Sequence, residues 1–259
     1  DGRAVKVADA ADIQSLLRWE FDSTAPNDYV GCMLRAPQVF VQKTGDDTAG
    51  LYAVYGNGYN AKGDADGNTS ALIVVDVVRG KFVNNIVAKA LATTPELPDG
   101  TYKNGMAEPL VYDYDNDGFA DYIYSGDLDG NMYRLTLVGK SIESSSADAV
   151  TDADLQRIAV CYDASHQRQS ITTRPTAGIN PEGNGSVYVS WGTGRFLVVE
   201  DGLVRDNSGK SVSHAVNSLY TIVDNFRDND LTRDSTGVTV SATEYDEESS
   251  TAQGSENDA

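Results

Sequence analysis

Nine consecutive residues constrain this chain more than any others: Asp113-Tyr114-Asp115-Asn116-Asp117-Gly118-Phe119-Ala120-Asp121. They place carboxylates at positions 1, 3, 5 and 9 of a loop and a glycine at position 6. Carboxylates converging at roughly 5 Å repel by about 3 kcal/mol per pair at an effective dielectric near 20. A hard divalent cation with oxygen ligands removes that repulsion. Position 7 of an EF-hand-type loop contributes a backbone carbonyl, here Phe119, and Gly118 permits the sharp turn. The spacing therefore predicts Ca2+ held by Asp113, Asp115, Asp117, the Phe119 carbonyl and Asp121. The bland alternative is an acidic β-turn that happens to be rich in Asp.

The flanks decide what the loop joins. An EF-hand carries helices on both sides and a bidentate Glu at position 12; here position 12 is Tyr124. Leu110-Val111-Tyr112 leads in and Tyr122-Ile123-Tyr124 leads out, both rich in β-formers, and Ser125-Gly126 follows too soon for a helix. The loop is thus expected between two strands. Without the position-12 Glu, it should hold calcium more weakly than a high-affinity buffer site.

The same grammar recurs along the chain. Strand patterns at 51–55, 71–78 and 81–87, then 122–124 and 131–138, then 158–162, 186–191 and 217–223, are punctuated by glycine turns at Gly56, Gly126 and Gly192. Those glycines are 70 and then 66 residues apart. Strand and turn units at a long fixed period are how propeller blades appear in sequence, since each sheet needs neighbours to cover its faces. The fold class is therefore all-β: a β-propeller with an EF-hand-like calcium loop between two strands. Three units fall short of the roughly four to eight that close a ring. Either further blades lie in residues 1–50 and 195–240, or chain absent here completes the ring; the second is favoured. Residues 1–240 form the blade region, and 241–259 read as an acidic, disordered tail. Thr236 to Ala242 is a further strand candidate, and Leu17, Trp19 and Phe21 alternate in strand fashion.

Charge narrows the partners. A net charge of −19 and a pI near 4.3 offer no basic patch for nucleic acid or an anionic membrane surface. No apolar run reaches the 18 or more residues of a membrane-spanning helix. The chain opens on Asp1-Gly2 without Met, as a processed form or a segment of something longer would. Cys32 and Cys161 could pair with each other, stay as two thiols, or pair elsewhere; the sequence leaves all three open.

Other constellations carry less. Asp64-Ala65-Asp66-Gly67-Asn68 lacks the later carboxylates of a calcium loop and reads as a solvated turn. Asp127-Leu128-Asp129-Gly130-Asn131 has the Asp-Gly of a tight hairpin. Gly192-Thr193-Gly194 belongs to no phosphate-binding pattern. His166 and His214 stand far from any motif Ser or Cys, so a catalytic triad lacks support.

The run from Asp113 through Tyr122-Ile123-Tyr124-Ser125-Gly126-Asp127-Leu128-Asp129-Gly130-Asn131-Met132-Tyr133-Arg134-Leu135 resembles the C-terminal propeller of the PilY family of type IV pilus proteins. Tyr55-Gly56-Asn57-Gly58-Tyr59, Ala71 to Asp76, Ile171-Thr172-Thr173-Arg174-Pro175 and Trp191-Gly192-Thr193-Gly194-Arg195-Phe196 match in the same order. Together they cover roughly residues 50–225. The resemblance implies a modified seven-bladed β-propeller, secreted and carried at the pilus tip. It also implies calcium at Asp113, Asp115, Asp117, Phe119 and Asp121, with occupancy tuning pilus extension and retraction. Implied partners are minor pilins or other pilus components, the remaining propeller and N-terminal adhesin segment, and a surface ligand the sequence does not name. The expectation is a non-enzymatic, calcium-binding protein of pilus biogenesis and adhesion. One rival is a structural component of an extracellular filament. The other is a quinoprotein-dehydrogenase-like propeller, whose calcium would be held by scattered residues rather than one loop.

Overall fold

A computed structural model describes residues 19–21, 29–33, 35–44, 48–59, 69–88, 104–163, 168–182, 185–195, 197, 217–226 and 238–241. Four strands come first among the described residues: β1 (Gln38–Lys43), β2 (Ala49–Gly56), β3 (Ser70–Asp76) and β4 (Lys81–Ala88). They form an antiparallel sheet in that order. A second sheet follows from β5 (Leu110–Tyr112), β6 (Tyr122–Gly126), β7 (Asn131–Thr136) and β8 (Leu155–Tyr162). The third is built from β9 (Thr176–Ile179), β10 (Val187–Gly192) and β11 (Leu219–Asp224) in the order β11-β10-β9. The last strand, β12 (Val238–Ser241), lies parallel to β8 at the edge of the second sheet. No α-helix occurs among the described residues, so none there is long and apolar enough to cross a membrane.

The recurrent glycines close equivalent strands: Gly56 ends β2, Gly126 ends β6 and Gly192 ends β10. Three sequence units thus correspond to three sheets. The middle sheet is covered on both faces, which explains why β6 is buried at every position. Ile123 enters a core with Phe40, Tyr52, Leu72 and Val74 of the first sheet. Tyr122 and Tyr124, pointing the other way by the two-residue period of a strand, enter a core with Val187, Val189 and Trp191 of the third. Each large apolar side chain so buried contributes roughly 1.5–3 kcal/mol. Sheets stacked face to face through two separate cores are the blade packing the sequence demanded.

Several expectations need correction. Trp19 to Phe21 form no strand; Trp19 instead donates from Nε1 to the Val77 carbonyl at 3.0 Å. The first-sheet strand expected to run to Val78 stops at Asp76, whose Oδ1 accepts from the Val78 and Arg79 amides and turns the chain. The Ser- and Asp-rich segment 141–154, which carries no strand pattern in the sequence, packs Ile142 and Val150 into the first core and ends in a 3-10 turn at Asp152–Asp154. The strand candidate before the tail exists as β12, but it extends the second sheet rather than its own neighbour. Asp64 to Asn68, Leu17, His166, His214 and residues 242–259 lie outside the described residues.

Candidate metal centre

The loop between β5 and β6 is wound by its own side chains. Asp113 Oδ2 accepts from the Gly118 amide at 2.9 Å, Asp115 Oδ1 from the Asp117 amide at 3.1 Å, and Asp117 Oδ1 from the Phe119 amide at 2.8 Å. These short side-chain-to-backbone turns curl the chain around a common point. Asn116 at φ 60° and Gly118 at φ 94° take the left-handed conformation that the curl requires. Glycine accepts it without strain, and Asn is among the side chains that tolerate it best.

One ligand oxygen from each of Asp113, Asp115 and Asp117 lies within 4.8 Å of the others. Asp113 Oδ1 is buried and has no hydrogen-bond partner. An orphaned, buried carboxylate oxygen beside two more carboxylates is costly unless a cation completes the site. The donor set is all oxygen, which suits calcium. The residues present therefore fit the ion.

Asp121 stands apart from that trio. Its Oδ2 accepts from the Tyr114 amide at 2.7 Å and from the Asp115 amide at 3.4 Å, tying the loop's exit to its entry. Burial pushes its carboxyl upward, the two amides pull it back, and the Asp115 and Asp113 charges push it up again. In loops of this type position 9 often reaches the ion through water, a role compatible with this placement. A cavity of about 250 Å³ opens beside the loop, lined by Asp115, Asp117 and Phe119 together with Lys43, Val138 and Lys140. Lys140 is ion-paired with Asp154 at 2.7 Å.

Sequence reasoning missed a second polar centre. The Asp127–Asn131 hairpin is a turn as expected, but it is buried. Asp127 Oδ2 accepts from Ser70 Oγ at 3.1 Å and Asn104 Nδ2 at 3.0 Å, and its Oδ1 accepts from the Asn131 amide at 2.8 Å. Asp129 Oδ2 is buried without a partner. The only signal was an Asp-x-Asp-Gly-Asn string, which a solvated turn would show equally well. Cys32 is exposed and Cys161 is buried, and the two are not bonded to each other.

Sheets stacked as blades, with a carboxylate loop bridging two strands of the middle one, define a β-propeller fold carrying a candidate cation loop. The PilY1 beta-propeller domain family matches residues 27–251, and the chain belongs to it. The type IV pilus biogenesis factor PilY1 of Pseudomonas aeruginosa (strain UCBPP-PA14) is 27% identical over 215 residues, covering 76% of this chain and 17% of that protein. A PilY1 homolog from Xylella fastidiosa is 27% identical over 214 residues, covering 82% of this chain and 13% of that protein. The chain therefore spans well under a quarter of these relatives. The crystal structure of the Pseudomonas aeruginosa PilY1 C-terminal domain superposes with a TM-score of 0.57 at 23% identity, over 83% of this chain and 40% of that one. At that identity the likeness concerns the fold.

Proposed function

We propose that this chain is a non-enzymatic, calcium-binding blade module of a type IV pilus biogenesis protein. The observation that carries the calcium reading is the Asp113, Asp115 and Asp117 trio with its orphaned buried oxygen. The pilus setting is supported by the named relatives, which are pilus biogenesis factors. On this reading the module works outside the cell at the pilus tip. It meets minor pilins or other pilus components together with the remaining propeller and adhesin segments of a longer protein, and it contributes to retraction control and surface attachment. The candidate ligands lie within nine consecutive residues, unlike the scattered ligands of a quinoprotein site, which favours a structural and regulatory ion over a catalytic one.

Calcium would neutralise the trio and take up Asp113 Oδ1; Phe119 would offer its carbonyl, and Asp121 would anchor the loop's exit. Titration calorimetry tests the assignment. Calcium binding by the wild-type chain, lost in Asp115→Ala and in Asp117→Ala, is the expected result. Either variant binding calcium as the wild type does would remove the site. Chelator should lower the thermal midpoint modestly, because the loop adds only Ala120 to the first core and Tyr114 to the margin of the second; global unfolding on chelation would contradict this account.

A further inference from the structure

The loop is fastened to a sheet that supplies none of its candidate ligands. Ala120 sits between Phe119 and Asp121, and it is bonded on both sides to β1 of the neighbouring sheet. Its amide donates to the Val41 carbonyl at 3.0 Å. Its carbonyl accepts from Gln42 Nε2 at 2.6 Å. Gln42 is itself fixed: it is 3% exposed, and its Oε1 accepts from the Lys43 amide at 2.7 Å. The next residue is tied to the middle sheet, the Asp121 amide donating to Tyr112 at 3.0 Å and its carbonyl accepting from Leu137 at 2.8 Å.

Peptide planarity gives these bonds a consequence at the site. The Ala120 N–H shares a rigid trans peptide with the Phe119 carbonyl, and the two bonds point in opposite directions. Holding that N–H on Val41 therefore aims the Phe119 carbonyl away from the first sheet. The following peptide is gripped at its carbonyl by Gln42 and at its N–H by Tyr112. Rotation of either peptide would break a buried hydrogen bond, which costs about 1–3 kcal/mol for the group left unsatisfied.

We propose that Gln42 is a positioning residue for the calcium loop, and that the first sheet thereby feels whether the loop is loaded. The proposal rests on the calcium reading above. If β1 sets the geometry of Phe119 and Asp121, then calcium, by holding those residues, must in turn stabilise the β1 contact, since coupling between two equilibria is reciprocal. Calcium occupancy is then expressed at the junction of two blades and not only within the loop.

Three proteins test it: wild type, Gln42→Met, which keeps the bulk and removes the donor, and Thr44→Val as a control at another buried polar position of the same segment. Calorimetry on the folded proteins should show Gln42→Met binding calcium about tenfold more weakly, the lower end of what lost ligand-orienting contacts cost, with Thr44→Val unchanged. Amide exchange in the wild type should slow on calcium addition at Ala120 and across β1 and β2, but not in β9 to β11. Equal affinity in Gln42→Met and wild type, or calcium binding without added protection in the first sheet, overturns the coupling and leaves the calcium site standing. A wild-type chain that binds no calcium overturns both. Should Gln42→Met fail to fold, the wild-type exchange experiment decides alone.

Discussion

Arg134 and Asp224 lie 2.7 Å apart with side chains only 1% exposed, and their ion pair ties β7 of the middle sheet to the end of β11 in the third. The pair is well supplied with further partners. Tyr124 donates to Asp224 Oδ2 at 3.0 Å, the Phe226 amide donates to Oδ1 at 3.0 Å, and Arg134 reaches Gln156 Oε1 at 3.1 Å. Phe226, held at φ 57°, stacks on Tyr122 with ring centroids 4.2 Å apart, and the guanidinium faces the Tyr122 ring at 5.7 Å. A non-glycine residue in that conformation persists only where its surroundings fix it. Burying such a pair gains little overall, but removing one member strands the other.

Arg134→Met should therefore destabilise the chain by about 3–5 kcal/mol. Asp224→Asn, which keeps an oxygen acceptor for Tyr124, should cost less. Urea denaturation gives both values. An Arg134→Met midpoint equal to that of the wild type would show that the contact between these sheets does not depend on the pair.

The hairpin centre predicts a pH effect. Burial, then the charge of Asp127, pushes the Asp129 carboxyl up to about 7, while Arg168 pulls it down. Burial also raises Asp127, but Asn131, Asn104 and Ser70 all donate to it, whereas Asp129 Oδ2 has no donor. The proton of the pair therefore belongs on Asp129. A carboxyl raised in the fold contributes stability that is fully present below its unfolded pKa, near 4, and is lost as pH rises through the folded value. Asp129→Asn should accordingly be less sensitive to pH than the wild type. Its thermal midpoint should gain on the wild type between about pH 5 and about pH 8. Parallel curves for the two proteins would place the proton elsewhere.

The contrast between the two Asp-rich turns shows where sequence is informative. The curl of the Asp113–Asp121 loop was legible because its pattern is local: every carboxylate falls within nine residues, and the chain's own amides wind it. The Asp127 hairpin was not, because its donors Ser70 and Asn104 stand 57 and 23 residues away. Strand β3 was evident as an apolar run, buried throughout. Strand β1 escaped notice for a physical reason: Val39 faces outward at 59% exposure while Gln42 is buried. Gln42 shares the inward face with Phe40, where its bond to the loop satisfies the buried amide. The four residues of β9, with a glycine and two exposed ends, offered too little pattern. Asp121 was expected beside the other carboxylates, yet its capping of Tyr114 depends on backbone geometry that spacing does not carry.

The two thiols should differ sharply. Burial pushes the Cys161 thiol up to about 12, against the pull of the Trp191 N–H that reaches its sulfur at 3.3 Å. Only the thiolate reacts readily, so Cys161 should be inert in the fold. Aromatic-disulfide titration should count one fast thiol per chain, Cys32, and the second only in denaturant. Two fast thiols would mean that the core around Trp191 opens easily.

The recurrent glycines should not be equally replaceable, although the sequence repeats them alike. A Cβ at Gly56 would fall 1.8 Å from the Ala107 carbonyl oxygen and 2.5 Å from that of Met106. Both are backbone atoms of the segment that leads into the middle sheet, and they cannot yield without separating the two sheets. At Gly126 the Cβ would meet Ile171 Cγ2 at 2.3 Å and its Cβ at 2.6 Å. That side chain is stiff at χ1 but can shift with its loop. At Gly192 the nearest atom is Leu219 Cδ2 at 3.3 Å, the far end of a side chain that is 82% exposed. Alanine should therefore be worst at Gly56, intermediate at Gly126 and nearly neutral at Gly192. Overpacking of the intermediate kind costs about 1–3 kcal/mol. Thermal midpoints of the three single variants order them directly, and a Gly192→Ala loss as large as that of Gly56→Ala would mean that these turns share a constraint other than close approach.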